Sequence, residues 1–111
     1  MRISKYITAS NRRRVFICSP YKGDIEKNTA KAKELCAKAA EQGYAPIYPP
    51  LMYAQFLDES DKHQREMGIE CGLTWLDVCD EIWVNSADGV SAGMQLEIDA
   101  AILVGKKLRV L

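Results

Sequence analysis

Long hydrophobic runs are absent from this 111-residue sequence. No stretch approaches the ~20 apolar residues that a bilayer-spanning helix needs, so no membrane partner is expected. The first 13 residues hold Arg12 and Arg13 but no apolar core of the kind a secretory leader carries. Histidine is almost missing, His63 standing alone, and the four cysteines at 18, 36, 71 and 79 form no CxxC pair. A tetrahedral zinc centre needs four suitable ligands at close spacing, so no metal site is expected. The GxGxxG dinucleotide fingerprint and the GxxxxGK[ST] phosphate loop are missing too. An ordinary NAD-binding Rossmann domain and a nucleoside-triphosphatase are therefore not expected, and neither is a cofactor. Net charge is zero, with 15 basic and 15 acidic side chains. That argues against a protein that coats a nucleic-acid polymer or an anionic membrane.

What is present fits one ordinary globular domain, with 48% hydrophobic and 27% charged residues. The cysteines fall within apolar patterns and read as buried thiols in a reducing cytoplasm. Charge is unevenly spread. Residues 1–23 carry Arg2, Lys5, Arg12, Arg13, Arg14 and Lys22 and no acid. This start reads either as a solubilising tail or as a positive rim near an anionic ligand.

Residues 1–13 show no periodicity and read as a loose arm, leaving 14–111 as the single domain. Arg14–Cys18 (RVFIC) is a nearly continuous apolar run, the pattern of a strand buried on both faces of a parallel sheet. Ile25–Gln42 reads as a helix with Ile25, Thr29, Ala32, Leu35, Cys36 and Ala39 on one face and Gly43 as its stop. Tyr44–Tyr48 reads as a second strand, ended by Pro49 and Pro50. Leu51–Ser60 is apolar and aromatic without a clean period, a short helix or a lid. Asp61–Cys79 reads as a long helix in which Gly68 and Gly72 permit close packing or a bend. Glu81–Val84 is the third strand, Ser91–Val104 the last helix with Gly105 after it, and Lys107–Leu111 the fourth strand. Such alternation predicts a three-layer α/β fold, flavodoxin- or Rossmann-like, with helices on both faces of a parallel sheet. Right-handed crossovers favour the strand order 2-1-3-4.

Ligands of open parallel sheets bind beyond the carboxyl ends of the strands, where the order reverses. Here that point lies between the first and third strands, at the loops Ser19–Asp24 and Asn85–Gly93. The free N–H groups of a helix start favour anions, so an anionic small molecule is expected between these loops. Glu97 is the most informative residue. It lies about 9 Å along the last helix from Ser91 at ~1.5 Å per residue, and its i−4 neighbour Gly93 has no side chain to cover it. The pattern allows a ligand-facing carboxylate or a solvated helix residue.

FICSPYKGD, WLDVCDEIWV and SAGMQLEIDAA, in that order and spacing, resemble the nucleoside 2-deoxyribosyltransferase superfamily over about residues 14–111. They are similar also to its 2′-deoxynucleoside 5′-monophosphate N-glycosidase branch. The resemblance makes Glu97 the catalytic nucleophile. It would attack the anomeric carbon of the deoxyribose and form a covalent glycosyl–enzyme intermediate, as in a retaining glycosidase. At the position of Ser91, members acting on free nucleosides carry an acid against the 5′-hydroxyl, and the monophosphate glycosidases carry a serine against the 5′-phosphate. A carboxylate repels phosphate and a hydroxyl donates to it, so Ser91 points to a nucleotide; it also suits the helix N-cap. Ser19 matches a small residue that contacts phosphate or sugar, with Pro20 and Gly23 in the same substrate-binding loop. Tyr21 falls where the family has an aromatic residue or an arginine, and Lys22 offers a phosphate charge or is a solvated loop lysine. Asn85 and Asp88 lie on the site side of the third strand, where ligand contact and turn chemistry account for them alike. Gly93 completes the set. Tyr53 and Phe56 stack on a base or pack in a core or a subunit contact.

One departure stands out. The glycosidase branch has an aspartate three residues before the Trp-Leu pair of the long helix, where it protonates or holds the leaving base. Here Gly72 precedes Trp75 and Leu76, and loss of a general acid removes about 10²–10⁴-fold in rate. Two expectations follow: an N-glycosidase or deoxyribosyltransferase acting on a (deoxy)nucleoside 5′-monophosphate, or a non-catalytic nucleotide-binding or nucleotide-signal-binding protein of the same fold. The partner is a small-molecule nucleotide or nucleoside. The larger transferases continue past the fourth strand and use that tail at their site, which implies help from a partner subunit. Because relatives are oligomers and Leu51–Leu57 is apolar, a homo-oligomer, dimer or higher, is expected.

Overall fold

The computed structural model describes residues 11–111; most of the expected arm, with Arg2 and Lys5, lies outside the described residues. The elements are β1 (Arg14–Cys18), α1 (Ile25–Glu41), β2 (Ala45–Ile47), α2 (Pro49–Tyr53), α3 (Lys62–Val78), β3 (Glu81–Val84), α4 (Ala92–Leu103) and β4 (Lys107–Val110). All neighbouring strands pair parallel, in the order β2-β1-β3-β4, with Cys18 beside Val84. The α/β class and strand order are those the sequence predicts. No helix among the described residues is long and apolar enough to cross a membrane.

β1 is shared between two cores. Val15 and Ile17 pack with Ala32, Ala39, Tyr48 and Trp83 beneath α1. Phe16 and Cys18 point the other way, to Leu76, Ile82, Val84, Met94 and Ala101 beneath α3 and α4. This is the period-2 alternation of a strand with both faces covered. Each large apolar side chain buried there contributes about 1.5–3 kcal/mol.

The helix ends follow from their flanking residues. Asp24 caps α1 by accepting from the Lys27 N–H at 3.1 Å, and Asp61 caps α3 by accepting from Gln64 N–H at 3.0 Å. Gly43, with φ +94°, turns the chain out of α1 into β2. β2 is shorter than the expected Tyr44–Tyr48. The prolines that close it also open α2, because proline at the first helical positions forfeits only an N–H that has no intrahelical partner. The ambiguous Leu51–Ser60 is thus the end of a short helix followed by turns. Gly68 and Gly72 do not interrupt α3 but face this segment, where an added Cβ would stand 3.6 Å from Leu57 Cδ1 and 4.0 Å from Pro49 Cβ.

Arg12 and Arg13, at the start of β1, are structural. Arg12 donates to the carbonyls of Ala40 and Tyr44 at 2.9 and 3.0 Å, closing the end of α1. Arg13 pairs with the buried Glu81 at 2.7 Å, and the Trp83 indole donates to the other Glu81 oxygen at 3.0 Å. Burial pushes the Glu81 carboxyl up, but these hydrogen bonds outweigh it and hold the group below the usual carboxylate range. Arg12–Arg14 stand about 13–20 Å from the far end of β1, at ~3.3 Å per residue. They form no rim at the ligand end of the sheet; among the described basic residues of the start, only Lys22 reaches it.

Candidate functional site

A cleft of about 300 Å³ opens beyond the carboxyl end of β1, between the loop that follows it and the start of α4. Its walls are the β1–α1 loop, α2 with the turns that follow, the inner face of α3 and the first turns of α4. Ser19, Pro20, Tyr21, Lys22, Ser91, Gly93 and Glu97 all line it, so most of the sequence-derived set is brought together.

The β1–α1 loop is held from both sides. The Asn28 side chain donates to the carbonyls of Tyr21 and Lys22 at 3.2 and 3.0 Å, and the Tyr48 hydroxyl donates to the Pro20 carbonyl at 3.0 Å. Burial, then the Glu97 charge, pushes the Tyr48 phenol up, so it remains a donor. Gly23 does not line this cleft; with φ +98° it shapes the turn into α1.

α4 brings Ser91, Gly93 and Glu97 to the cleft. Met94 and Ala101 anchor it in the core. Ser91 is its N-cap, Oγ accepting from the Met94 N–H at 3.2 Å. The bond uses only a lone pair, so the hydroxyl proton is free for an anion: capping and ligand contact do not compete. A Cβ at Gly93 would meet nothing within 4 Å, which leaves an open path to Glu97 one turn on. Glu97 is partly buried, and burial pushes its carboxyl up to about 7. At neutral pH it is poised between its protonated and ionised forms.

The remaining lining includes residues that the sequence reading missed. Arg65 and Gln64 enter from the first turn of α3, and Glu59 from the preceding turns. Arg65 Nη1 donates to the Glu59 carbonyl at 3.3 Å, and Lys22 Nζ stands 4.0 Å from Glu59 Oε2. Two cations, Lys22 and Arg65, therefore meet the cleft at Glu59, one beside its carboxylate and the other on its backbone carbonyl. A signal for Arg65 was available, because it lies two turns before Gly72 and so on the same helix face. Tyr53 lines the cleft, its hydroxyl accepting from the Trp75 indole at 2.8 Å. Phe56 packs edge-on against Tyr53 at 5.4 Å but is 62% exposed and outside the lining.

Asn85 and Asp88 are not in this cleft. They border a separate hollow of about 290 Å³ on the α1 side, with Lys27 and Asn28. The Asn85 amide donates to Ser19 Oγ at 3.1 Å and its carbonyl oxygen accepts from the Ala87 N–H at 3.3 Å. Asp88 stands 3.9 Å from Lys27 Nζ. Turn chemistry and loop bracing account for both. No cluster of three or more potential metal ligands exists among the described residues.

This parallel sheet, with its cleft at the reversal of strand order, has the nucleoside 2-deoxyribosyltransferase-like fold. The 2-deoxyribosyltransferase of Bacillus psychrosaccharolyticus superposes with a TM-score of 0.71 at 13% identity, over 87% of this chain and 70% of that one. The 2-deoxyribosyltransferase of Leishmania mexicana gives 0.60 at 17%, over 89% and 63%. The CMP N-glycosidase of Clostridium botulinum gives 0.58 at 20%, over 88% and 67%. The chain thus spans about two thirds of the length of these neighbours. Among curated proteins, none matches it in sequence. Over residues 13–111 the chain belongs to the family described as domain of unknown function DUF7768.

Proposed function

We propose that the protein cleaves or transfers at the N-glycosidic bond of a (deoxy)nucleoside 5′-monophosphate, with Glu97 as the nucleophile. The observation that carries this reading is the Glu97 carboxyl, held in the cleft beside an uncovered glycine and the capped start of α4. Its carboxylate would attack the anomeric carbon as the base departs, giving a glycosyl–enzyme ester that water or a second base resolves. The Ser91 hydroxyl and the N–H groups of the first turn of α4 suit a 5′-phosphate, and Lys22 adds positive charge at the same cleft. Tyr53 and Tyr21 offer aromatic surface to the base. The four free thiols fit a reducing cytoplasm. Exposed apolar side chains on α2, α3 and α4 support a homo-oligomer.

Gly72 favours a second reading. It lines the cleft where the glycosidase-like pattern calls for an acid, which suits a protein that binds a nucleotide and does not cleave it. Incubation with a panel of deoxynucleoside and ribonucleoside monophosphates, followed by chromatography for free base, separates the two. Base release that disappears in Glu97→Ala supports the enzyme. Thermal stabilisation without release supports the binder, and neither effect with any nucleotide rejects both. In the enzyme, kcat/KM rises with pH through about 7 as Glu97 loses its proton.

A further inference from the structure

We propose, resting on the reading of the cleft as a nucleotide site, that Arg65 recognises the ligand's 5′-phosphate and separates nucleotides from nucleosides. Arg65, Gly68, Ile69, Gly72 and Leu73 recur at i, i+3, i+4, i+7 and i+8 of α3, and all line the cleft. Two glycines and two aliphatic side chains leave Arg65 as the one charged group on that stripe. Leu73 packs against the same buried cluster as Ile98, which follows Glu97 on α4. Arg65 stands two turns back from Leu73, ~12 Å towards the start of α3 at ~1.5 Å per residue. Because every strand pairs parallel, α3 and α4 both begin at the carboxyl end of the sheet, and Arg65 and Ser91 line the same opening. That spacing suits a nucleotide, whose phosphate lies several bonds from the anomeric carbon that Glu97 would attack.

Its partners set Arg65 apart from the other arginines. Arg13 pairs with Glu81, Arg12 holds two carbonyls, and Arg109 stacks 4.4 Å from the Trp83 ring centroid. Arg14 lies exposed at the first residue of β1. Arg65 is half-buried, and its guanidinium makes one hydrogen bond, from Nη1 to the Glu59 carbonyl at 3.3 Å. Among the described residues, no carboxylate stands within 4.0 Å of it. The bond to Glu59 orients the side chain without neutralising it, and most of its planar fork of N–H donors stays open. A cation partly withdrawn from water without a counter-ion is costly, and an anion entering the cleft supplies one. The open fork matches two oxygens of a phosphate, while the free proton of the Ser91 hydroxyl serves the same group from α4. Lys22 contributes less, because its ammonium stands 4.0 Å from the Glu59 carboxylate.

The test is isothermal titration calorimetry with deoxynucleoside and ribonucleoside 5′-monophosphates, the matching nucleosides, and ribose 5-phosphate as a ligand without a base. Wild type is expected to bind a monophosphate at least ~10-fold more tightly than its nucleoside. Arg65→Gln is expected to weaken the monophosphate and ribose 5-phosphate by about 10–100-fold, the range of one charge-assisted contact, and to leave the nucleoside unchanged. Arg65→Lys keeps the charge and loses the fork, so its affinity is expected to fall between the two. Lys22→Gln is expected to cost less than about 5-fold, as for an exposed, already paired charge. Unchanged discrimination in Arg65→Gln, or in Arg65→Lys where Arg65→Gln does not fold, overturns the proposal. So does an equal loss for nucleoside and monophosphate, a larger loss in Lys22→Gln, or a wild type that binds no phosphate-bearing compound. The titration needs no turnover. Phosphate-dependent binding through Arg65 without release of base leaves Arg65 its role and sinks the glycosidic reaction. Glu97-dependent release from nucleosides and monophosphates alike, at the same rate in Arg65→Gln, does the reverse.

Discussion

Burial lifts the Glu97 carboxyl from an ordinary 4.5 to about 7, and the same shift affects folding. Between those two values the folded chain binds more protons than the unfolded one, so stability falls as pH rises and stays reduced above 7. Glu97→Gln should therefore be more stable than wild type at pH 8, by on the order of 2–3 kcal/mol. The difference should vanish below pH 4, as read by urea denaturation at both pH values. A site that weakens its own fold is the usual cost of a functional group held out of water. Gly72 offers the converse experiment. A Cβ there has room, 4.0 Å from Pro49 Cβ, so Gly72→Asp puts an acid at a cleft-lining position whose Cβ fits. Base release should rise ~10²-fold or more if protonation of the leaving base limits the rate. An unchanged rate in a folded variant would show that another step governs. At this scale the sequence was most informative at Glu97, because Gly93 one turn before it reads as a gap in cover. Cys18 was legible only as an apolar residue. Its hydrogen bond to the Met94 carbonyl depends on which face of β1 meets α4, a matter of packing between residues 76 apart in the chain.

Among the elements, α1 and α4 begin with the same device but serve different ends. Asp24 and Ser91 each accept from the N–H three residues on. Replacing either by alanine should cost about 1 kcal/mol of stability. Ser91→Ala should also shrink the thermal shift given by a nucleoside monophosphate, whereas Asp24→Ala should leave that shift intact, since only Ser91 borders the cleft. Thermal denaturation with and without ligand compares them directly. The long helices and buried strands could be read from the sequence because their periods, caps and glycine stops agree. α2 could not, because paired prolines after a strand read as an ending, and a five-residue helix has no period to detect. Asn85 and Asp88 misled for a related reason. A loop at the switch point has two sides, and the sequence does not say which one faces the α1 hollow and which the cleft.

Over the whole molecule, strand order was legible because alternating strands and helices with right-handed crossovers leave few arrangements. The depth of the cleft was not, since it depends on how the turns after α2 close over α3 through Leu57 and Gly68. A ligand that fits this space should protect the entire fold. A nucleoside monophosphate at 100 times its dissociation constant adds about 2.7 kcal/mol, visible as a raised melting temperature that grows with concentration and is lost for compounds that cannot enter. β1 has a further consequence. Its odd residues floor one helical layer and its even residues floor the other, so peeling away either layer strips the support from both. The molecule is thereby denied a half-melted resting state. Its innermost amides, in β1 and β3, should exchange with deuterium only when everything opens at once.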